Sequence, residues 1–306
     1  MLGVLQGFTV ILGVIGAGYL AGRLGVVKGE QRLVLNNVAF YVATPALLFG
    51  VLQRSDPSVL LSPVILVTTV AAILAAAAYL IIARLRFRGD LASLTLGATS
   101  SGYVNSNNLG LPVAVYILGD AAYVAPLILV QVAVYAPIIL AILETTRGNR
   151  KGAGIALARA ASNPIIIASV LGFVCALLGI GLPEIVLAPI DMLGAAAVPM
   201  ILMSFGVSLH GQRALQLGSG RAAVVTASAI KVLLMPLAAW AICLAVGMDA
   251  HDTFVATTVA ALPTAQNVYN YAATYQRAEI QVRDTVFITT FASLPVIALI
   301  AALLGP

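Results

Sequence analysis

Residues 101–118 read SGYVNSNNLGLPVAVYIL, and the whole chain is organised around them. They sit inside an apolar run, yet they hold three asparagines (Asn105, Asn107 and Asn108), two glycines (Gly102 and Gly110) and Pro112. In hydrocarbon an unpaired amide is costly, so polar, broken backbone persists only against protein or a watery cavity. A second interruption, ALPTAQN, occupies Ala261–Asn267. One interrupted apolar segment in each half of a chain points to a transporter's binding site.

Of the 306 residues, 61% are hydrophobic and 9% charged, against about 25% charged in a soluble domain. The mean hydropathy is +1.06. The chain is read as an all-α polytopic membrane protein whose organisation follows from counting segments. Cys175 and Cys243 both fall in apolar runs and are expected as buried thiols rather than a disulfide. His210 and His251 are far apart and no HExxH or CxxC spacing occurs, so neither a metal site nor a cofactor is expected.

Apolar runs long enough to cross a ~30 Å core fall at 2–22, 33–52, 60–83, 91–118, 122–143, 163–182, 185–209, 222–247, 252–275 and 284–304. The first has no Lys or Arg before it and Arg23 after it, the wrong polarity for a signal peptide, so a retained span is expected. With the N-terminus outside, the alternate connections starting from the first hold 14 of the 16 Lys and Arg residues. Arg54 lies in an outer connection and Lys231 inside a span. Cytoplasmic loops attract basic residues, so both termini are expected outside the cytoplasm, in a bacterial inner membrane. The net charge of +5 is dispersed over short connections, which suits lipid headgroups and not nucleic acid.

The longest connection divides the chain into a first repeat (1–143), a cytoplasmic connection (144–162) and a second repeat (163–306), with five spans in each repeat. Thr44–Gly50 (TPALLFG) is echoed by Val198–Leu202 with Phe205 and Gly206, and the break in span four by the break in span nine. An odd number of spans per repeat turns the second upside down relative to the first. Ten transmembrane helices in two inverted five-helix repeats are therefore expected, an arrangement that supports alternating access.

Four landmarks occur together and in order: Asn36–Phe49 (NNVAFYVATPALLF), Asn105–Pro112 (NSNNLGLP), Lys231 with Pro236, and Leu262-Pro263-Thr264. They resemble the auxin efflux carrier family, which includes plant PIN-type carriers and bacterial permeases for small carboxylates. The resemblance runs from the first span to the last and rests on the joint order of the motifs. It implies that broken helices four and nine cross, and that spans 3–5 and 8–10 form a transport domain. Spans 1, 2, 6 and 7 would be the scaffold, commonly the seat of a homodimer. Sodium–bile acid symporters are similar in architecture. The resemblance also matches Asn105 to an asparagine that contacts the substrate carboxylate, and Lys231 to a basic position in span eight. The chain departs from the plant pattern at Val104, where a proline is usual, and at Thr68 and Thr69 in place of charged residues. It also lacks the large cytoplasmic loop.

A broken helix presents backbone N–H groups and a positive dipole end at the start of its second half, which suits an anion. Asn105, Asn108, Thr264, Gln266 and Asn267 are the candidates for hydrogen bonds to a carboxylate. The alternative is that these side chains satisfy backbone carbonyls freed by the breaks. Gly102, Pro112 and Pro263 are expected to shape the breaks, and Tyr269 and Tyr271 are candidates for lining a cavity. Lys231 lies ten residues past Arg221, about 15 Å along a helix. Either it meets the anion or a coupling step, or it donates to carbonyls at the ninth-span break. Asp191, Asp252 and Glu144 lie near segment ends, and no carboxylate is expected in mid-span.

The expected function is a secondary transporter of small organic anions such as mono- or dicarboxylates. A sodium-coupled bile-acid-type symporter and an anion channel are the alternatives. A membrane enzyme is disfavoured because no nucleophile–base pair or metal-ligand set lies in the spans.

Overall fold

The computed structural model describes residues 2–55, 62–87, 89–146, 162–210 and 220–305. Arg88, Arg147, Arg150, Lys151, Arg159 and Arg213, all assigned above to inner connections, lie outside the described residues, as does most of the 144–162 connection.

The described elements are helical. In chain order they are α1 (Leu2–Arg23) and α2 (Gly29–Val38 continuing into Thr44–Arg54), then α3 (Pro63–Arg86). Next come α4a (Leu91–Gly102), α4b (Ser106–Gly110 continuing into Ala114–Leu118) and α5 (Ala125–Val130 continuing into Ala136–Thr145). The second half holds α6 (Pro164–Leu177), α7 (Glu184–Ala195 and Ala197–Leu209) and α8 (Arg221–Ala229 continuing into Met235–Val246). It ends with α9a (Ala250–Ala260), α9b (Gln266–Tyr275) and α10 (Glu279–Leu304). Among the described residues, 6 helices are long and apolar enough to cross a membrane: α2, α3, α5, α7, α8 and α10. Thr9–Arg23 and Pro164–Leu177 are shorter apolar helices. The expected spans four and nine each appear as two half-helices.

Local chemistry sets these boundaries. Asp90 caps α4a by accepting from the Ser93 N–H at 2.9 Å, and Asp249 caps α9a in the same way from the Asp252 N–H at 2.8 Å. Each satisfies one of the N–H groups that a helix start leaves open. Gly119 and Gly247 close α4b and α8 with left-handed φ values of 90° and 69°, which glycine adopts without steric cost.

Four π-helical turns each end just before an X-Pro pair. Ala39–Ala43 precedes Pro45, Ser106–Gly110 precedes Pro112, Gln131–Tyr135 precedes Pro137, and Ile230–Leu234 precedes Pro236. Proline offers no N–H and crowds the carbonyl four residues back, and a widened turn relieves both problems without ending the helix. Pro112 therefore sits inside α4b. The break itself lies at Tyr103–Asn105, where Gly102 ends α4a.

α1 packs chiefly on α7, and α6 on α2, while α8 packs on α3, α9a and α10. The α1–α7 approach is close enough that a Cβ at Gly206 would run into the Ile15 carbonyl. Small residues at such crossings let helix backbones touch where lipid supplies no hydrophobic drive.

Two expectations change. α10 begins at Glu279 rather than near 284, so Asp284 lies inside a helix and is 3% exposed. Its partner is the adjacent Arg283, whose Nε and Nη2 donate to Asp284 Oδ1 at 3.0 and 2.8 Å. A carboxylate can be buried when a guanidinium both neutralises it and donates to it. Cys175 and Cys243 are both free thiols, but only Cys243 is buried as expected, Cys175 being partly exposed.

Candidate functional site

The two interruptions meet. Tyr103–Asn105 and Pro263–Ala265 run antiparallel, bridged at Val104 and Thr264. The Asn105 N–H donates to the Pro263 carbonyl at 2.8 Å, and the Ala265 N–H donates to the Tyr103 carbonyl at 3.0 Å. Helices four and nine thus cross through a two-rung ladder. The N-terminal ends of α4b and α9b both start at this crossing, so their positive dipole ends converge there.

Several other backbone groups at the breaks find side-chain partners. Gln131 Nε2 donates to the Val104 carbonyl at 2.9 Å. Thr264 Oγ1 donates to the Ser100 carbonyl at 2.6 Å, and the Thr264 N–H donates to Thr289 Oγ1 at 3.1 Å. Lys231 Nζ donates to the carbonyl of Ala260, the last residue of α9a, at 2.8 Å. In a membrane interior this accounting is obligatory. Thr264 and Lys231, both 0% exposed, are therefore committed to backbone.

The other candidates keep unspent hydrogen-bonding capacity. Asn105 Oδ1 accepts from the Asn108 N–H at 3.2 Å, capping α4b, while its Nδ2 makes no protein hydrogen bond among the described residues. Asn108 Nδ2 donates to Gln266 Oε1 at 3.4 Å, joining the two half-helices side chain to side chain. Among the described residues, neither Gln266 Nε2 nor the Asn267 side chain makes a protein hydrogen bond.

Two polar cavities flank the crossing. One, of about 250 Å³, runs from Asn105 and Gln266 to the helix ends bearing Arg32, Leu209 and Arg283, with Tyr269 and Thr290 on its wall. The other, of about 340 Å³, is lined by Tyr103, Asn267, Asn270 and Tyr271 on one side and by Asn36, Asn37 and Asn163 on the other. Asn105 and Gln266 are thus brought together, whereas Asn267, on another face of α9b, opens into the second cavity. Thr264 and Lys231 line neither, and Pro263 serves the crossing through its carbonyl. Tyr269 and Tyr271 each line a cavity.

Sequence reasoning missed several participants. Arg32 and Arg283 read as ordinary loop charges, and nothing local marks them as cavity residues. Gln131 did carry a signal, since it is the one amide in the apolar run 122–143. The charge in the first cavity is positive: it holds Arg32, which has no acidic partner among the described residues, and the exposed side of the Arg283 guanidinium.

Crossed, interrupted helices with polar cavities reaching from the crossing to one end of an apolar bundle are the layout of a membrane transporter. The chain belongs to the family described as membrane transport protein, the auxin efflux carrier-type permeases, whose pattern it matches over residues 7–301. It is 29% identical over 291 residues to a Rhizobium meliloti (strain 1021) protein whose name provisionally assigns it malonate transport, covering 92% of this chain and 89% of that one. It is 25% identical over 300 residues to an uncharacterized transporter of Methanocaldococcus jannaschii, covering 95% of each chain. A third relative, an uncharacterized transporter of Methanothermobacter thermautotrophicus, is 31% identical over 255 residues, 81% of each chain. The protein is an integral membrane protein, and its family and these relatives are transporters rather than enzymes.

Proposed function

We propose that this protein is a secondary transporter of small organic anions working by alternating access, with the substrate carboxylate held in the 250 Å³ cavity. The observation that carries this is the convergence of two half-helix N-termini and the Asn105 and Gln266 amides on a cavity that also holds two guanidinium groups. Each favours negative charge, and their donors point where a carboxylate has acceptors. Asn105, Gln266, Arg283 and Arg32 bind. Asn108 orients Gln266, Asn267 serves the second cavity, and Thr264 and Lys231 position the crossing. A mono- or dicarboxylate is the substrate class, and malonate is the first compound to try, given the Rhizobium relative's name.

The crossing is the centre of ten membrane passages in two inverted repeats, 1–143 and 163–306. The matching Asp90 and Asp249 caps and the matching breaks support this division. Spans 3–5 and 8–10 move as one body against spans 1, 2, 6 and 7, with a homodimer formed through the latter. Both termini lie outside the cytoplasm of a bacterial cell. Both cavities then reach the cytoplasmic side, so the conformation is inward-facing.

Flux into proteoliposomes tests this reading. Saturable uptake of labelled malonate or malate is expected, abolished by Asn105→Asp, with monocarboxylates as competitors and sodium varied. Dependence on sodium would favour the bile-acid-type symporter, and anion currents above transporter turnover would favour a channel. A folded protein that moves no member of a mono- and dicarboxylate panel would sink the carboxylate assignment.

A further inference from the structure

A third cavity shares no residue with the first polar cavity and meets the second only at Tyr103. It is a groove of about 610 Å³ between α3, α4a and α5, within the ~300–1,000 Å³ of ligand sites. Its walls are apolar, with Ile73 and Leu80 on α3, Ala98 on α4a and Ile138 on α5. Ile73 and Ile138 are 60% and 54% exposed, so the groove faces outward, and in an integral membrane protein that face meets lipid. Arg84, in the last turn of α3, stands at one end, and Gly102 and Tyr103 form the other.

The dimensions choose the occupant. From Leu91 beside Arg84 to Gly102, α4a rises about 16 Å, which is half of a ~30 Å hydrocarbon core. The groove is therefore one leaflet deep, with its cation at headgroup level and its apolar wall at acyl-chain level. Arg84 is exposed and has no acidic partner among the described residues, and guanidinium matches phosphate in charge and geometry.

We propose that this groove binds one anionic phospholipid, its phosphate on Arg84 and one acyl chain lying along α4a to the crossing. The chain tip would rest against Gly102 and Tyr103. The Tyr103 carbonyl accepts the Ala265 N–H, so the lipid braces the strand pair on which helices four and nine cross. This site is independent of the anion site, and its test does not need the transported substrate.

The purified full-length protein would be examined by native mass spectrometry with phosphatidylglycerol and phosphatidylcholine of identical chains. One retained phosphatidylglycerol is expected, preferred about fivefold over phosphatidylcholine, as one arginine at an anionic surface provides. Arg84→Gln should abolish the preference while lipid is still retained, and Ala76→Phe, which fills the half-buried middle of the groove, should abolish retention. Size-exclusion profiles of both variants establish that they are folded. No retained lipid, a preference unchanged in Arg84→Gln, or retention unchanged in folded Ala76→Phe would each overturn the proposal.

Discussion

Lys231 Nζ lies 2.8 Å from the carbonyl oxygen of Ala260, and Met235 Sδ, one turn along α8, is 3.2 Å away on the same nitrogen. The lysine thereby ties α8 to the final residue of α9a, where the helix stops and its carbonyls lose their usual donors.

Lys231→Met should accordingly destabilise the protein by about 1–3 kcal/mol, the cost of leaving a buried carbonyl without a donor. Thermal unfolding in detergent checks this. The folded variant should retain its anion affinity, and a loss of affinity without loss of stability would return Lys231 to the binding site.

On the proposed function Asn105 caps α4b through Oδ1 and meets the anion through Nδ2, and substitutions can separate the two. Asn105→Ala removes the cap on α4b and should cost about 1 kcal/mol, together with anion binding. Asn105→Asp keeps an oxygen for the Asn108 N–H but places a negative charge in the cavity. It should be the more stable of the two and still fail to bind malonate by calorimetry. Equal binding by wild type and Asn105→Asp would remove Asn105 from the site.

Arg283 serves both the cavity and Asp284. Arg283→Gln should weaken anion binding at least tenfold, since a charge-assisted hydrogen bond contributes about 1.5–3 kcal/mol, and should also destabilise by leaving Asp284 without its counter-charge. Adding Asp284→Asn should recover stability but not binding. Binding restored in the double variant would mean that Arg283 acts only through Asp284.

Asp90 lies in the connection between α3 and α4a. Hydrogen bonds from the Ser93 side chain and backbone, with the nearby Arg277 charge, hold its carboxyl below the ordinary value. A carboxyl whose folded pKa is depressed stabilises above its unfolded pKa, and that contribution is lost as pH falls through the folded value. Asp90→Ala should cost about 1 kcal/mol at neutral pH, with the gap closing below about pH 4. Melting curves across that range check it, and a gap undiminished in acid would contradict it.

Gly206→Leu should wedge α1 from α7, because the new side chain meets the Ile15 carbonyl and its neighbours in backbone that cannot yield. A cost of about 1–3 kcal/mol or more is expected, seen as lost expression or a lowered Tm.

Much of this was legible in the linear chain. The breaks at Gly102–Asn105 and Ala261–Ala265 announce themselves as polar residues in apolar runs, because lipid tolerates such backbone only where it is covered. The start of α10 was placed too late because Arg283 by itself reads as a loop charge, and it becomes burial-compatible only when paired with Asp284.

The sequence alone determined that the chain is a helical membrane protein with two matched interruptions, since hydrocarbon punishes any other arrangement of those apolar runs. It also singled out the amides that gather at the crossing. Only the tertiary structure decided how their atoms are shared out. Asn105 and Gln266 face one cavity and Asn267 another, because adjacent positions on a helix point about 100° apart. Lys231 is spent on Ala260, and two arginines remote in sequence, Arg32 and Arg283, share a wall with Asn105. Such assignments depend on which helix faces are brought together across the bundle, and no local run of residues encodes that.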